Sequence, residues 1–217
     1  MHIAVSRVGD RSDGHEEGND VGIENSDAGH SLAGSVAGLV LAAGAGSRYG
    51  KPKVLAEGGS WLERSVTALH DGGCRPVFVA LGAALVELPE PAVPIEVSRW
   101  ELGIGETIST CIAHLANTPD IDGVVIHLVD IPDVSVVQVA RVLQTAQGSR
   151  MRAARACFGG RPGHPVYLGA GLFDRAIAGV TGDRGLGGFL SRLPDLKLVE
   201  CGDVGTGVDW DIPRPLR

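Results

Sequence analysis

The chain has 217 residues, room for one well-packed domain; 32 of them are glycine and only 4% are aromatic, so its interior has to be built from Val, Leu, Ile and Ala around glycine-rich turns. A formal net charge of −7 excludes a surface that neutralises a run of nucleic-acid phosphates, because that binding mode draws on clustered Lys and Arg. The longest apolar runs, residues 36–43 and 124–129, fall far short of the ~20 residues that span a bilayer, and no secretory-type leader is evident at the amino end.

Residues 1–35 hold seven acids against Arg7 and Arg11 and few apolar side chains. That is too little to offset the entropy of ordering them. We expect an acidic, disordered tail there and a folded domain over residues 36–217. Cys74, Cys111, Cys157 and Cys201 form no Cys-x-x-Cys pair, so reduced thiols in a cytoplasm are the expectation.

From Val36 the character changes. Residues 36–43 are a continuous run of small apolar side chains, the pattern of a strand buried on both faces. Residues 61–70 have helical spacing, with Leu62, Val66 and Leu69 on one face and Gly72-Gly73 as the stop. Residues 76–81 read as a second buried strand, 94–97 as a short third and 106–115 as a helix. The run 124–129 is a strand ending at Asp130, after which Ser135 and Gln138 form a capping-box pattern that opens a helix to about Ala146. Residues 152–158 and 165–168 read as further strands, residues near 171–178 and 185–193 as helices, and 196–200 as a last strand. This alternation implies an α/β fold, three layers with a mainly parallel (mixed) Rossmann-like sheet between helices. Ligands of such sheets sit at the carboxyl ends of the strands.

The segment from Leu41 to Lys53 follows the first strand directly, where backbone amides can approach phosphates. A Walker A loop is excluded, because counting back from Gly50-Lys51 puts Ala45 at its first glycine and Pro52 at its hydroxyl position. The dinucleotide fingerprint fails as well, since Tyr49 occupies its third glycine. What stands there is Gly44-x-Gly46-x-Arg48-x-Gly50-x-Pro52-Lys53. Its glycines remove Cβ obstruction while Arg48 and Lys53 supply positive charge, which suits a triphosphate. Lys51 reads as a solvated charge.

This loop, Leu41-Ala42-Ala43-Gly44 through Leu55, resembles that of the MobA-like nucleotidyltransferases, and within them the molybdenum cofactor cytidylyltransferases. Guanylyl-transferring relatives usually carry Leu-Ala-Gly-Gly, so Ala43 leans toward CTP. The resemblance extends along the chain. Leu128-Val129-Asp130-Ile131-Pro132 is similar to the family's Leu-x-Asp-x-Pro, and Gly163-His164-Pro165-Val166 to its Gly-His-Pro-Val. Gly182-Asp183-Arg184-Gly185 matches Gly-Asp-x-Gly, and Asp209-Trp210-Asp211-Ile212-Pro213 is similar to Asp-Ile-Asp-Thr-Pro.

The resemblance implies a nucleotidyltransferase that moves an NMP, CMP in first place, from an NTP to a small phosphorylated acceptor such as the molybdopterin cofactor, with release of pyrophosphate. It implies Mg²⁺ on Asp130, with Asp211 or Asp209 as a second carboxylate, and Arg48, Lys53 and Asp130 as the catalytic set. Leu41, Ala42, Ala43, Gly44 and Gly46 would line the nucleotide site together with Arg48 and Lys53. His164 and Asp183 would lie at the acceptor. A molybdenum hydroxylase or its maturation factors are the implied protein partners, with no membrane or nucleic-acid partner.

Two departures bear on the acceptor. Glu106, in a segment resembling Trp-x-x-Gly-Met-x-x-Ser, puts an anion where a small or hydroxyl residue is usual, and such an anion opposes a phosphorylated ligand. Ile131, Leu186-Gly187 and Ile212 also replace the usual residues. Two rival readings use the same scaffold: an NAD(P)H-dependent reductase of the nicotine blue oxidoreductase type, and a nucleotide-binding regulator without turnover. Hydride transfer has no need of a metal ligand at Asp130, whereas nucleotidyl transfer does.

Overall fold

A computed structural model describes residues 35–211. Seven strands form one sheet: β1 (Ser35–Leu41), β2 (Val77–Leu81), β3 (Val93–Glu96), β4 (Ile121–Leu128), β5 (Ala153–Phe158), β6 (Arg161–Gly169) and β7 (Lys197–Glu200). Their order across the sheet is β3-β2-β1-β4-β6-β5-β7. Every neighbouring pair is parallel except those made by β6, which runs against both β4 and β5. The sheet is therefore mixed and mainly parallel, as the alternation of elements requires.

Five helices, α1 (Ser60–Asp71), α2 (Ile104–Ala116), α3 (Val136–Ala146), α4 (Phe173–Ile177) and α5 (Gly187–Leu190), cover the two faces. One face packs Ile108, Ile112 and Leu115 of α2, Phe173 of α4 and Leu190 of α5 on Leu39, Ile126 and Leu168. The other packs Trp61, Val66 and Leu69 of α1 and Val139 and Val142 of α3 on Val40, Val79 and Val125. Alternate residues of one strand serve opposite cores, so the covered stretches of β1, β2 and β4 are mostly apolar. Each large side chain buried in this way contributes roughly 1.5–3 kcal/mol.

Local chemistry sets the ends. Ser135 accepts from the Gln138 backbone N–H while the Gln138 side chain accepts from the Ser135 N–H, so the capping box forms and starts α3. Between β5 and β6, Gly159 and Gly160 both take positive φ, the geometry of a tight hairpin turn.

The expected tail over residues 1–35 lies outside the described residues except for its last member, and there the expectation is corrected. Ser35 is the first residue of β1, because its N–H and its Oγ both donate to the carbonyl of Asp120. The helices expected over 171–178 and 185–193 are shorter. A 3-10 turn occupies Ala170–Leu172 before α4, and α5 is a single turn.

Candidate active site

The carboxyl ends of β1 and β4 open into a cleft of about 410 Å³. Its floor is the end of β1 and the following loop, Leu41, Ala42, Ala43, Gly44 and Gly46, with Lys53 and Asp130 among the lining side chains. The loop's shape depends on Gly46. Its φ is +64°, and a Cβ there would lie 2.0 Å from the carbonyl oxygen of Lys51. Gly44 differs, since a Cβ there would meet nothing within 4 Å. No atom of the described residues demands glycine at that position, and the space in front of it belongs to the cleft.

The opposite wall is the turn before α2. A Cβ on Gly103 would lie 2.5 Å from the Gly182 carbonyl and 2.8 Å from Asp183 Oδ1. The Gly105 N–H donates to that same Gly182 carbonyl at 2.8 Å. The two glycines thus let the Gly182–Gly185 loop seat against α2, and this seating brings Asp183 to the cleft beside Trp100, Glu101 and Thr107.

Charged side chains from three distant segments meet at the edge of this cleft, where Lys53 and Asp130 line it and Arg48 and Asp211 lie just outside its lining. Lys53, which opens the 3-10 turn Lys53–Gly59, donates from Nζ to Asp130 Oδ2 at 2.9 Å and to Asp211 Oδ1 at 2.7 Å. Arg48 Nη1 donates to Asp211 Oδ2 at 2.9 Å. Burial acts to lower the Lys53 pKa, but the hydrogen bonds and charges of the two aspartates outweigh it and hold the ammonium above its ordinary value. Asp211 is held below the usual carboxylate range, first by the hydrogen bond from Lys53. Asp130 Oδ1 is buried with no hydrogen-bond partner. An orphaned, buried carboxylate oxygen is costly unless something completes it.

Asp211 arrives on a strap that crosses the carboxyl end of β4. The Trp210 N–H donates to the Asp130 carbonyl at 2.8 Å, and the Thr206 N–H and Oγ1 both donate to Asp133 Oδ2 at 2.6 Å. The Trp210 ring meets Trp61 edge-on at 5.5 Å. Asp209 is exposed, and it is Asp211 that reaches Lys53.

The structure therefore gathers Arg48, Lys53, Asp130 and Asp211 around one charged junction and places Leu41, Ala42, Ala43, Gly44, Gly46 and Asp183 on the cleft. Arg48 is the outermost of these, with a side chain 82% exposed. His164 is not among them. It lines a separate, smaller cavity, its Nδ1 donating to the Ile126 carbonyl at 3.2 Å. The expectation that Glu106 opposes a phosphorylated ligand is corrected too. Arg99 Nη2 donates to Glu106 at 2.6 Å, neutralising it, and Glu106 does not line the cleft, whereas Glu101 and Asp183 do.

His127, which sequence reasoning passed over as strand interior, supports the Asp130 turn. It is fully buried and its Nε2 donates to the Ile131 carbonyl at 3.1 Å, leaving Nδ1 unprotonated and without a partner. Burial drives its pKa down to about 3, and burial likewise lowers His164 to about 4. Unfolded histidines titrate near 6.5, so between that value and about 3 to 4 the unfolded chain binds protons that the folded chain refuses. Stability is complete above the unfolded value and falls with pH by up to ~1.4 kcal/mol per unit for each such histidine. The melting temperature should drop from pH 7 to pH 4.5, and less steeply in His127→Gln. An equal slope in that variant would rule out His127 as a source.

Among the described residues no group of three or more His, Cys, Asp or Glu side chains is arranged to hold a metal. The donors on hand are the Asp130 and Asp211 carboxylates. This fits Mg²⁺, which commonly takes one or two carboxylates and completes its shell with water and substrate phosphate. The orphaned Oδ1 of Asp130 offers it an unpartnered oxygen.

The chain matches the family model of the MobA-like NTP transferase domain over residues 38–197. It is 34% identical over 193 residues to nicotine blue oxidoreductase of Paenarthrobacter nicotinovorans, covering 81% of this chain and 92% of that one. Among solved structures it is similar to Rv0371c of Mycobacterium tuberculosis H37Rv, with TM-score 0.65 and 22% identity over 82% of this chain and 94% of the other. Rv0371c has also been solved in complex with manganese. A third likeness is to 2-C-methyl-D-erythritol 4-phosphate cytidylyltransferase of Thermus thermophilus, with TM-score 0.56 and 25% identity over 81% and 93% of the two chains. Below 25% identity the likeness is one of fold.

Proposed function

The chain belongs to the MobA-like NTP transferase domain family, and from that membership we propose that it transfers a nucleoside monophosphate, CMP in first place, from an NTP to a phosphorylated acceptor, releasing pyrophosphate. The observation that carries this is the junction of Lys53 with Asp130 and Asp211 beside an open glycine loop. Ala43 in that loop supports cytidine as the base, and molybdopterin is the acceptor that the motifs favour. A molybdenum hydroxylase or its maturation factors would then receive the product. We place the reaction in the cytoplasm, which suits four buried, unpaired thiols.

In this reading the loop amides and Gly44 receive the triphosphate, while Lys53 and Arg48 offset the charge that grows on the departing pyrophosphate. Asp130 and Asp211 would hold Mg²⁺, which when bound supplies charge neutralisation at the phosphates. The acceptor's phosphate oxygen is already ionised, so the chain need not remove a proton from it. Its task is placement, and fixing two reactants in line accounts for a large part of such accelerations.

The 34% identity to nicotine blue oxidoreductase supports a second reading, hydride transfer from NAD(P)H on the same scaffold, because fold alone does not fix the reaction. The two readings separate in one assay set. With Mg²⁺, an NTP and molybdopterin the transferase reading expects pyrophosphate, most from CTP. Absence of pyrophosphate with every NTP, together with oxidation of NADPH by a quinonoid dye, would establish the second reading instead.

A further inference from the structure

A second cavity, about 150 Å³, adjoins the cleft and shares Leu41, Ile104 and Leu128 with it. Its remaining wall is mostly aliphatic, with Ile108 of α2, Ile126 of β4 and Leu186 and Leu190 around α5. Two polar side chains interrupt it, Arg155 from β5 and His164 from β6. The parity of the strands explains why they meet. Arg155 is two residues from Ala153, and His164 two residues from Val166, and both of those neighbours pack in the core that α2, α4 and α5 cover.

Arg155 is an arginine set in the run Ala153-Ala154-Arg155-Ala156 of an interior strand. Its Nε donates to the Gly163 carbonyl at 2.8 Å, and no described carboxylate pairs with it. Burial pushes its pKa down from the ordinary guanidinium value, yet an arginine stays charged. A half-buried cation without a counter-ion is a standing cost to the fold. His164 does not share that charge. Burial lowers its pKa to about 4, so the ring is neutral at pH 7, and with Nδ1 donating to the Ile126 carbonyl its Nε2 is an acceptor. The cavity therefore holds one fixed positive charge, one neutral acceptor and an apolar wall, with no acid among its lining residues.

We propose that this cavity seats one planar ring of the acceptor, that the acceptor carries an anionic group beside that ring, and that Arg155 fixes that anion. A guanidinium fork matches a carboxylate or phosphate through two parallel hydrogen bonds and also stacks on planar rings. Apolar cavities near 150 Å³ admit one six-membered ring. Calling the occupant the acceptor rests on the transferase reading; the ligand chemistry does not.

The test uses the full chain with benzoate as anionic probe and benzyl alcohol as its neutral counterpart, read by thermal shift and by amide chemical-shift titration. Benzoate should bind the wild-type protein at least tenfold more tightly than benzyl alcohol, and Arg155→Met should erase that difference. Arg155→Lys, which keeps the charge and loses the fork, should fall between. Arg155→Met should also melt no lower than wild type, because it removes an unpaired cation, whereas a structural arginine would lower it. No benzoate binding, equal binding of the two probes, or benzoate binding unchanged in Arg155→Met would each overturn the proposal. The thermal shift of the wild-type protein with CTP is measured alongside. If CTP binds and benzoate fails, only the cavity assignment falls; if benzoate behaves as stated and no NTP binds, it is the transferase reading that fails.

Discussion

Asp130→Asn is expected to lower kcat/KM for pyrophosphate release by at least about 10²–10³-fold, the range seen when one preorganised electrostatic contact is removed from a reacting centre. The substitution is nearly isosteric, so it changes charge rather than shape. Asp130 gives Oδ2 to Lys53 at 2.9 Å and keeps Oδ1 buried and unpartnered. An amide there loses both the attraction for Lys53 and the unpartnered anionic oxygen that suits a divalent ion. Nucleotide binding should survive, because the loop from Leu41 to Gly46 is untouched and one negative charge has left a site that receives a triphosphate. The measurement is a split: turnover from pyrophosphate release, and CTP affinity from calorimetry in the presence of EDTA. Activity within tenfold of wild type would sink the assignment of Asp130, and loss of CTP binding along with turnover would show a structural role.

Much of this arrangement was legible in the sequence, for reasons that differ by element. β1, β2 and β4 are largely apolar runs because both faces of the sheet are covered. α1 and α3 declare themselves by spacing and, in α3, by the Ser135–Gln138 box. Strand direction is a different matter. Nothing in the composition of Arg161–Gly169 says that β6 inserts antiparallel between β4 and β5. The Gly159-Gly160 turn hints at it, since a two-residue glycine turn joins antiparallel neighbours. The short helices α4 and α5 were overestimated because apolar spacing continues through the 3-10 turn before α4 and through the turn residues on either side of α5, where the backbone is not α-helical.

The candidate site was legible as separate motifs and illegible as a junction. Arg48 and Asp211 are 163 positions apart, and periodicity carries no information over such a span. Glu106 misled for a more local reason. Its neutralising partner, Arg99, precedes the helix on which Glu106 sits, so reading the helix alone shows an acid and not its ion pair. Arg155 left one faint signal, a charge inside a run of small strand residues, and it takes the parity of two neighbouring strands to turn that into a cavity wall.

Asp211→Asn is expected to have the opposite effect on nucleotide binding without metal: CTP should bind more tightly in EDTA than it does to wild type. In the structure Asp211 occupies two of the loop's cations, Lys53 at 2.7 Å and Arg48 at 2.9 Å, so a triphosphate has to displace a carboxylate to reach them. The Arg48 pair is largely exposed and contributes little, at most about 1 kcal/mol. The Lys53 pair is better shielded, with side-chain exposures of 13% and 37%, and should dominate. A gain of roughly tenfold corresponds to about 1.4 kcal/mol. With Mg²⁺ the sign reverses. A divalent ion drawn to Asp130 and Asp211 would release Lys53 and Arg48 to the phosphates, so metal and nucleotide should each raise the other's affinity in wild type, as linkage requires. Asp211→Asn should lose most of that mutual gain and most of its turnover. Trp210, next to Asp211 and edge-on to Trp61, gives a fluorescence signal for both titrations. If the variant binds CTP more weakly than wild type in EDTA, Asp211 is not competing for the cations, and the carboxylate pair has some role other than holding them in reserve.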